Sequence, residues 1–221
     1  FDHSFELEET LCAKGKAAAL ETVRGMIHEP GTVAYVRQQE PAGLGHAVWC
    51  ARHLIHDEPV AVLLADDLIL GSSCLAEMVA SYQGGNMVAV MDVPKSETGS
   101  YGIITPGAVH GQLVEVSGLI EKPDPANAPS NIGVVGRYII ESGVFAQLGT
   151  QDRGTGNEVQ LTDALARQIG KVPFHGFRFS GERFDCGSKI GFLQANIAFA
   201  MSRDDLAEPL ASWIKNRMAL S

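Results

Sequence analysis

The stretch that decides the fold is Pro59–Asp67, PVAVLLADD, a continuous apolar run that stops at two adjacent aspartates. Strands that are buried on both faces of a parallel sheet carry such runs, because helices cover both of their sides. Further along the chain, Leu75–Tyr82 has the spacing of a helix, and Asn86–Val93 is a second apolar strand. Strands that alternate with helices of this length predict an α/β fold with a mainly parallel or mixed sheet.

The rest of the chain predicts the elements around this nucleus. Helical spacing of apolar residues recurs in four further segments: 6–28, 46–55, 158–169 and 187–218. Between Tyr101 and Ile140 the pattern changes to short strands with turn signals, and 172–184 is again strand-like. We therefore expect a sheet flanked by helices, with a small antiparallel extension that carries a binding face, in a single domain spanning residues 1–221.

Composition argues against several classes of protein. The 221 residues, 45% of them hydrophobic, suffice for one sizeable core. A formal net charge of −9 argues against a binder of nucleic acid or of anionic membranes, although 17 Lys and Arg residues are enough for a local anion pocket. No apolar run approaches the ~20 residues of a membrane helix. The four cysteines are scattered without a C-x-x-C pair, which favours reduced thiols in a cytoplasmic protein over disulfides or a zinc site.

The two aspartates that end the apolar run are the first candidates for chemistry. In open α/β sheets, ligands bind outside the carboxyl ends of the strands, where Asp66 and Asp67 lie. Adjacent side chains on an extended chain point to opposite sides, so one of the two is expected to face the crevice. Asp185 ends another strand-like segment, and such carboxylates suit Mg2+, which one or two of them hold together with substrate phosphates. Capping of a helix or solvation of a strand end is the alternative interpretation.

Two further segments carry polar groups that suit a sugar nucleotide. Gln38 can read the edge of a base, and glycines at 43 and 45 let backbone N–H groups approach a flat ligand. A plain strand-to-helix turn explains the same glycines. Glu121 can accept hydrogen bonds from two neighbouring sugar hydroxyls, while Lys122 can pair with a phosphate. An exposed salt-bridged turn is the alternative for this pair.

The predicted helix at 158–169 offers one more acidic group. Glu158 and Thr162 are four positions apart, so on a helix they share a face. The alternative is that Glu158 only complements the positive end of the helix dipole.

Seven motifs occur together in the order of a known family. They are VRQQEPAGLGHAVWCA (36–51), VLLADD (62–67), YGII (101–104), EKP (121–123), SNIGVVGRY (130–138), GNEVQLTDAL (156–165) and FDCGSKIGFLQA (184–195). Together they resemble the bacterial UTP–glucose-1-phosphate uridylyltransferases, or UDP-glucose pyrophosphorylases, a sugar nucleotidyltransferase family. The resemblance covers essentially the whole chain.

This resemblance implies a Rossmann-like nucleotidyltransferase fold and a Mg2+-dependent enzyme. Its members transfer a uridylyl group from UTP to glucose 1-phosphate and release UDP-glucose and pyrophosphate. The resemblance also implies a homodimer or homotetramer, while the charge and the cysteine pattern described above predict a cytoplasmic protein that binds neither nucleic acid nor membranes.

The resemblance carries specific roles to residues of this chain. It implies that Asp66 and Asp185 hold Mg2+ and that Asp66 and Lys122 act in catalysis, with Lys122 neutralising a phosphate. The remaining residues are implied to bind substrate: Gln38 and Gly43 at the uracil, Gly102 and Glu121 at the sugar, and Glu158 in the lining of the sugar pocket.

The chain departs from the family in one major respect. The family begins with a Gly-rich G-x-G-T-R loop and a P-K-E segment that hold the triphosphate, and neither occurs here. We therefore expect the chain to lack an N-terminal phosphate-loop portion. Two alternatives stay open: a thymidylyltransferase for the same sugar phosphate, and a catalytically silent fragment that binds sugar nucleotides. A smaller departure is Ala65, where the family commonly has proline before the metal-binding aspartate.

Overall fold

A computed structural model describes residues 2–219, which divide into two compact units with their boundary between Gln39 and Glu40. The N-terminal unit contains two helices, α1 (Phe5–Ala13) and α2 (Ala17–Gly25). The prediction of one helix over 6–28 is therefore wrong. The helical conformation is interrupted at Gly15, whose φ of +65° lies in the left-handed region that glycine enters without steric cost.

The second unit alternates helices and strands. Its helices are α3 (Leu44–Cys50), α4 (Cys74–Ser81), α5 (Gly143–Leu148), α6 (Leu161–Ala166), α7 (Lys189–Met201) and α8 (Ala207–Met218). Its strands are β1 (Val60–Leu63), β2 (Asp67–Leu70), β3 (Asn86–Asp92), β4 (Gly102–His110), β5 (Leu113–Glu121), β6 (Ile132–Ile140), β7 (Phe174–Arg178) and β8 (Glu182–Asp185). The predicted α/β class, a mixed sheet flanked by helices, is confirmed.

Six strands form one sheet in the order β1-β6-β3-β7-β5-β4, and β2 pairs with β8 in a separate two-stranded sheet. Among the strand pairs in residues 2–219, only β3 and β7 run parallel. Fewer pairs are parallel than the βαβ spacing suggests, because β6 lies between β1 and β3 and is antiparallel to both. β4 also reaches β6 through the pair Ile103 and Gly133, which brings the β4–β5 hairpin beside the end of β6.

The core lies on both faces of this sheet, and β3 is its most buried strand. Met87 and Ala89 face a cluster that includes Met78 of α4, while Val88 and Val90 face the larger cluster under α5 and α6. In contrast, β1 is at the edge of the sheet, with alternate residues exposed. The prediction that Pro59–Leu64 is buried on both faces is therefore wrong, because an apolar run does not show which strand occupies the edge.

Two further expectations from composition can be compared with the structure. No helix within residues 2–219 is long and apolar enough to cross a membrane. The four cysteines are free thiols, as the sequence predicted. Cys74 is buried, and this burial raises the pKa of its thiol to about 11.

Candidate active site

A polar pocket of about 310 Å³ lies in the second unit, outside the carboxyl end of β1. Its lining includes five of the predicted site residues: Asp66, Gly102, Glu121, Lys122 and Asp185. These residues come from four separate segments of the chain. The structure therefore brings together the residues that the motifs indicated one by one.

One side of the pocket, here the acidic wall, consists of Asp66, Asp67, Arg183 and Asp185. β2 and β8 pair with Asp67 opposite Asp185, which places the carboxylates side by side. Asp66 is exposed and Asp67 is buried, so one of the two faces the pocket as expected, but Asp66 lies in the turn before β2 and not on an extended strand. Asp67 accepts hydrogen bonds from the backbone N–H of Gly136, at 2.6 Å, and from Arg183. Asp67 is therefore held inside the protein, while Asp66 is accessible at the pocket.

Residues of β6 hold the turn that carries Asp66. Arg137 donates from Nη1 to the carbonyl of Leu64, at 3.0 Å, and from Nη2 to the carbonyl of Asp67, at 2.5 Å. Gly136 allows the close approach, because a Cβ there would overlap Asp67 and lie 2.7 Å from the Cβ of Leu64. The sequence showed these two residues only as part of a motif, without indicating their role in the turn.

The geometry around Gly187 tests whether the acidic wall fits a cation. A Cβ at this glycine would lie 3.0 Å from Oδ1 of Asp185 and 3.2 Å from Oδ2 of Asp66. The two carboxylates therefore border the same small space, which glycine leaves open. Within residues 2–219, no three His, Cys, Asp or Glu side chains are grouped to hold a metal ion. Two carboxylates completed by substrate phosphates and water fit the oxygen ligands that Mg2+ prefers.

The opposite side, here the hairpin wall, consists of Gly102, Glu121 and Lys122 at the open end of the β4–β5 hairpin. Gly102 pairs with Glu121 across the two strands, and a Cβ at Gly102 would lie 3.2 Å from Oε2 of Glu121 and 3.3 Å from Oγ1 of Thr162. This glycine therefore leaves room beside a carboxylate whose side chain is only 11% exposed. The Lys122 Nζ is 3.7 Å from Oε1 of Glu121.

The backbone of Lys122 has an unusual conformation. Its φ is +46°, in the left-handed region that non-glycine residues rarely adopt, and its N–H donates to the carbonyl of Tyr101 at 2.9 Å. Such conformations persist where surrounding contacts enforce them and are concentrated at functional sites. The turn directs the Lys122 side chain, which is 46% exposed, to the rim of the pocket.

The glycine-rich loop has a packing role. A Cβ at Gly43, whose φ is +103°, would lie 2.7 Å from the Cβ of Glu158 and 2.9 Å from the carbonyl of Val159. Gly45 donates its N–H to that same carbonyl at 2.8 Å. The loop therefore needs glycines in order to lie against 158–160, as the turn interpretation allowed. The contacts of Gly43 and Gln38 with uracil stay predictions, and Gln38 belongs to the N-terminal unit.

The placement of Glu158 differs from the prediction. α6 begins at Leu161, and Glu158 precedes it in extended conformation. The prediction that Glu158 and Thr162 share a helical face is therefore wrong. Positive φ values at Gly156 and Asn157 delay the start of the helix. Thr162 lines the pocket, whereas Glu158 is exposed and accepts a hydrogen bond from Gln160.

The sequence also left two pocket residues unassigned. Arg183 is 11% exposed and contacts Asp67, and its Nη1 donates to the hydroxyl of Tyr101 at 3.2 Å. Tyr138 of β6 is 6% exposed, and burial raises the pKa of its hydroxyl. Tyr138 ends the motif SNIGVVGRY and Arg183 directly precedes FDCGSKIGFLQA, but only the paired strands show that they reach the pocket.

Comparison with known proteins agrees with this geometry. Residues 3–202 match the model of the nucleotidyl transferase family. The UTP–glucose-1-phosphate uridylyltransferase of Komagataeibacter xylinus is 50% identical over 193 residues, which are 86% of this chain and 68% of that protein. A UDP-glucose pyrophosphorylase solved with UDP-glucose superposes with a TM-score of 0.79 at 37% identity, covering 86% of this chain and 74% of the other.

A second solved structure, the UTP-bound UGPase from Acinetobacter baumannii, has a TM-score of 0.86 at 34% identity. It covers 97% of this chain and 76% of the other. The resemblance that the seven motifs indicated is thereby confirmed. The chain belongs to the nucleotidyl transferase family.

Proposed function

We propose that the protein transfers a uridylyl group from UTP to glucose 1-phosphate and produces UDP-glucose and pyrophosphate. The observation that carries the proposal is the meeting of Asp66 and Asp185 at Gly187, in the pocket that also contains Glu121 and Lys122. One pocket therefore offers oxygen ligands for a cation, an ammonium group, and a carboxylate that can accept hydrogen bonds from hydroxyls. Uridylyltransferases bound to UTP and to UDP-glucose share the fold and support this assignment.

The two walls suit different parts of the substrates. Asp66 and Asp185 would hold Mg2+, which when bound neutralises phosphate charge and polarises phosphoryl oxygens. Lys122 places its ammonium at the rim, where it neutralises a phosphate of the sugar or of the nucleotide. Glu121 accepts hydrogen bonds from neighbouring hydroxyls of glucose, and Gly102 leaves space for the ring to approach.

The reaction requires that two anions meet. A phosphate oxygen of glucose 1-phosphate attacks the α-phosphorus of UTP and forms a new P–O bond. The bond between that phosphorus and the oxygen leading to the β-phosphate breaks in line, and pyrophosphate leaves with the electron pair. The protein contributes alignment and screening of charge, so no covalent step on a side chain is needed.

The other assignments belong to the same proposal. Gln38 and Gly43 would contact uracil, and Glu158 would border the sugar pocket beside Gly43. A single catalytic domain over 1–221 is supported by the family match, which extends through both compact units.

The proposed assembly and location rest on different features. A homodimer or homotetramer is supported by Trp213 in α8, which is 63% exposed, since aromatic residues are enriched at interfaces. A cytoplasmic location is supported by the four free thiols.

The assay for the proposal measures pyrophosphate release when the purified full-length protein is given glucose 1-phosphate and Mg2+, with UTP and dTTP supplied in parallel reactions. We expect a higher kcat/KM with UTP. Equal or faster turnover of dTTP would instead indicate a thymidylyltransferase. Binding of UDP-glucose without turnover of either nucleotide would indicate a silent binding protein.

A further inference from the structure

Arg183 connects the acidic wall to Tyr101, the residue that precedes Gly102 of the hairpin wall. Its guanidinium contacts Asp67, Nη2 lies 3.9 Å from Oδ2 of Asp185, and Nη1 donates to the hydroxyl of Tyr101 at 3.2 Å. The guanidinium carbon also lies 5.6 Å from the centre of the Tyr101 ring. The Arg183 side chain is 11% exposed, so these contacts are made largely away from solvent.

The contacts of Arg183 determine which carboxylates are available to a cation. Asp67 is fully engaged, because it pairs with Arg183 and also accepts the N–H of Gly136 at 2.6 Å. Only Asp66 and Asp185 border the space at Gly187. Arginine stays charged at every physiological pH, and its planar fork can contact two carboxylates at once, which a lysine ammonium does less well.

We propose that Arg183 is a positioning residue that keeps Asp67 away from the candidate cation site and lowers the affinity of this site for a bare divalent cation. The cation then binds firmly only together with the nucleotide, whose phosphates supply the negative charge that Arg183 offsets. This inference deepens the proposed function and rests on it for the identity of the nucleotide. The physical basis is that a fixed positive charge a few ångströms from a bound cation repels it strongly in a partly buried site.

The test uses Mn2+ as the probe and measures free Mn2+ by electron paramagnetic resonance, without and with UDP-glucose. For the wild-type protein we expect weak binding of Mn2+ alone and binding at least about tenfold tighter with UDP-glucose. In Arg183→Gln, which keeps a donor for Asp67 but removes the charge, Mn2+ alone should bind at least about tenfold tighter than in the wild type. Arg183→Lys keeps the charge and should retain the weak binding of the wild type.

Arg178→Gln is the matched control, because Arg178 lies on β7 in the six-stranded sheet and pairs with the exposed Asp92 outside the acidic wall. It should leave the affinity for Mn2+ unchanged. The proposal is overturned if Arg183→Gln binds Mn2+ alone no more tightly than the wild type. It is also overturned if the wild type binds UDP-glucose but then binds Mn2+ no more tightly than without it, a measurement that needs no variant to fold.

The same experiment separates this inference from the proposed function. Binding of Mn2+ alone needs no nucleotide, so the comparison between wild type and Arg183→Gln is informative even if UDP-glucose does not bind. Absence of both UDP-glucose binding and turnover would overturn the proposed function.

Discussion

The acidic wall and the hairpin wall face each other across one pocket, but they are held in different ways. In the acidic wall, charged side chains hold one another, since Arg183 pairs with buried Asp67 and Arg137 binds the carbonyls of the turn. In the hairpin wall, backbone geometry places Glu121 and Lys122, through the pairing of Gly102 and the positive φ of Lys122. Changes in the acidic wall should therefore affect stability unless they touch only Asp66, whereas changes in the hairpin wall should mainly affect substrate binding.

Asp66 is the position at which the acidic wall should lose activity without losing stability. Asp66→Asn should lower kcat/KM at least about 1,000-fold, because a neutral amide is a poor ligand for Mg2+ at the reacting phosphates. The thermal midpoint should stay unchanged, since Asp66 is exposed. Pyrophosphate release and thermal unfolding measure the two quantities on one sample. Near-normal Mg2+-dependent turnover of Asp66→Asn would show that Asp66 is not a ligand of the catalytic Mg2+.

Asp67 should show the opposite behaviour to its neighbour. Asp67→Ala removes the buried carboxylate that pairs with Arg183 and leaves the N–H of Gly136 without that acceptor. We expect the free energy of unfolding to fall by about 3 kcal/mol or more, measured by urea denaturation. A loss below about 1 kcal/mol, as for a surface ion pair, would contradict the picture of a wall held by buried charge.

Glu121 should separate substrate binding from stability in the hairpin wall. Glu121→Gln replaces a charged group that accepts hydrogen bonds from sugar hydroxyls with a neutral amide. The KM for glucose 1-phosphate should rise about 10-fold or more, while the KM for UTP changes little. Steady-state kinetics with each substrate varied in turn provide the measurement. An equal rise in both KM values would place Glu121 outside a sugar site.

Lys122 sharpens the contrast, because its backbone and its charge can be changed separately. Lys122→Ala and Lys122→Gly both remove the ammonium, so both should lose turnover to the same extent. Only glycine accepts φ of +46° without strain, so the Gly variant should be more stable than the Ala variant by about 1 kcal/mol. Denaturation of the two variants side by side measures this difference, and equal stabilities would show that the turn carries no strain.

The smallest effect is expected at Asp92, which serves as an exposed counterpart of Asp67. Its hydrogen bond with Arg178 holds the pKa of Asp92 below its ordinary value, and its side chain is 57% exposed. Because the folded pKa is lowered, the pair stabilises the fold above the ordinary Asp pKa and loses this contribution as the pH falls through the lowered value. Asp92→Asn should lower the free energy of unfolding by less than about 1 kcal/mol at neutral pH. It should also make the free energy of unfolding depend less on pH below about pH 4. A loss as large as that of Asp67→Ala would contradict the comparison.

The sequence predicted the class of the fold and, apart from Arg183, the members of both walls, but not how the strands are arranged. Apolar runs identified both β1 and β3, although only β3 is buried and β1 lies at the edge of the sheet. The insertion of β6 between them depends on pairing over long sequence distances, which local patterns do not contain. The sequence anticipated that only one of Asp66 and Asp67 faces the pocket, but the reason is the turn that carries Asp66 and not alternation along a strand.

The positioning residues were less predictable than the groups that face the substrate. Carboxylates at strand ends suggest their own chemistry, whereas Arg183 and Arg137 become meaningful only when β2, β6 and β8 lie together. Glu158 was misplaced because helical spacing does not reveal the left-handed residues that delay α6. The role of Gln38 stays a prediction, since it lies in the other compact unit.

The central claim is that the hairpin wall holds the sugar of one sugar nucleotide and the acidic wall holds its diphosphate. A crystal structure of the full-length protein with UDP-glucose and Mg2+ tests it most directly. We predict hydroxyls of glucose within hydrogen-bond distance of Glu121, and the diphosphate with its Mg2+ at Asp66 and Asp185. UDP-glucose bound outside this pocket, or with its sugar at the acidic wall, would contradict the account.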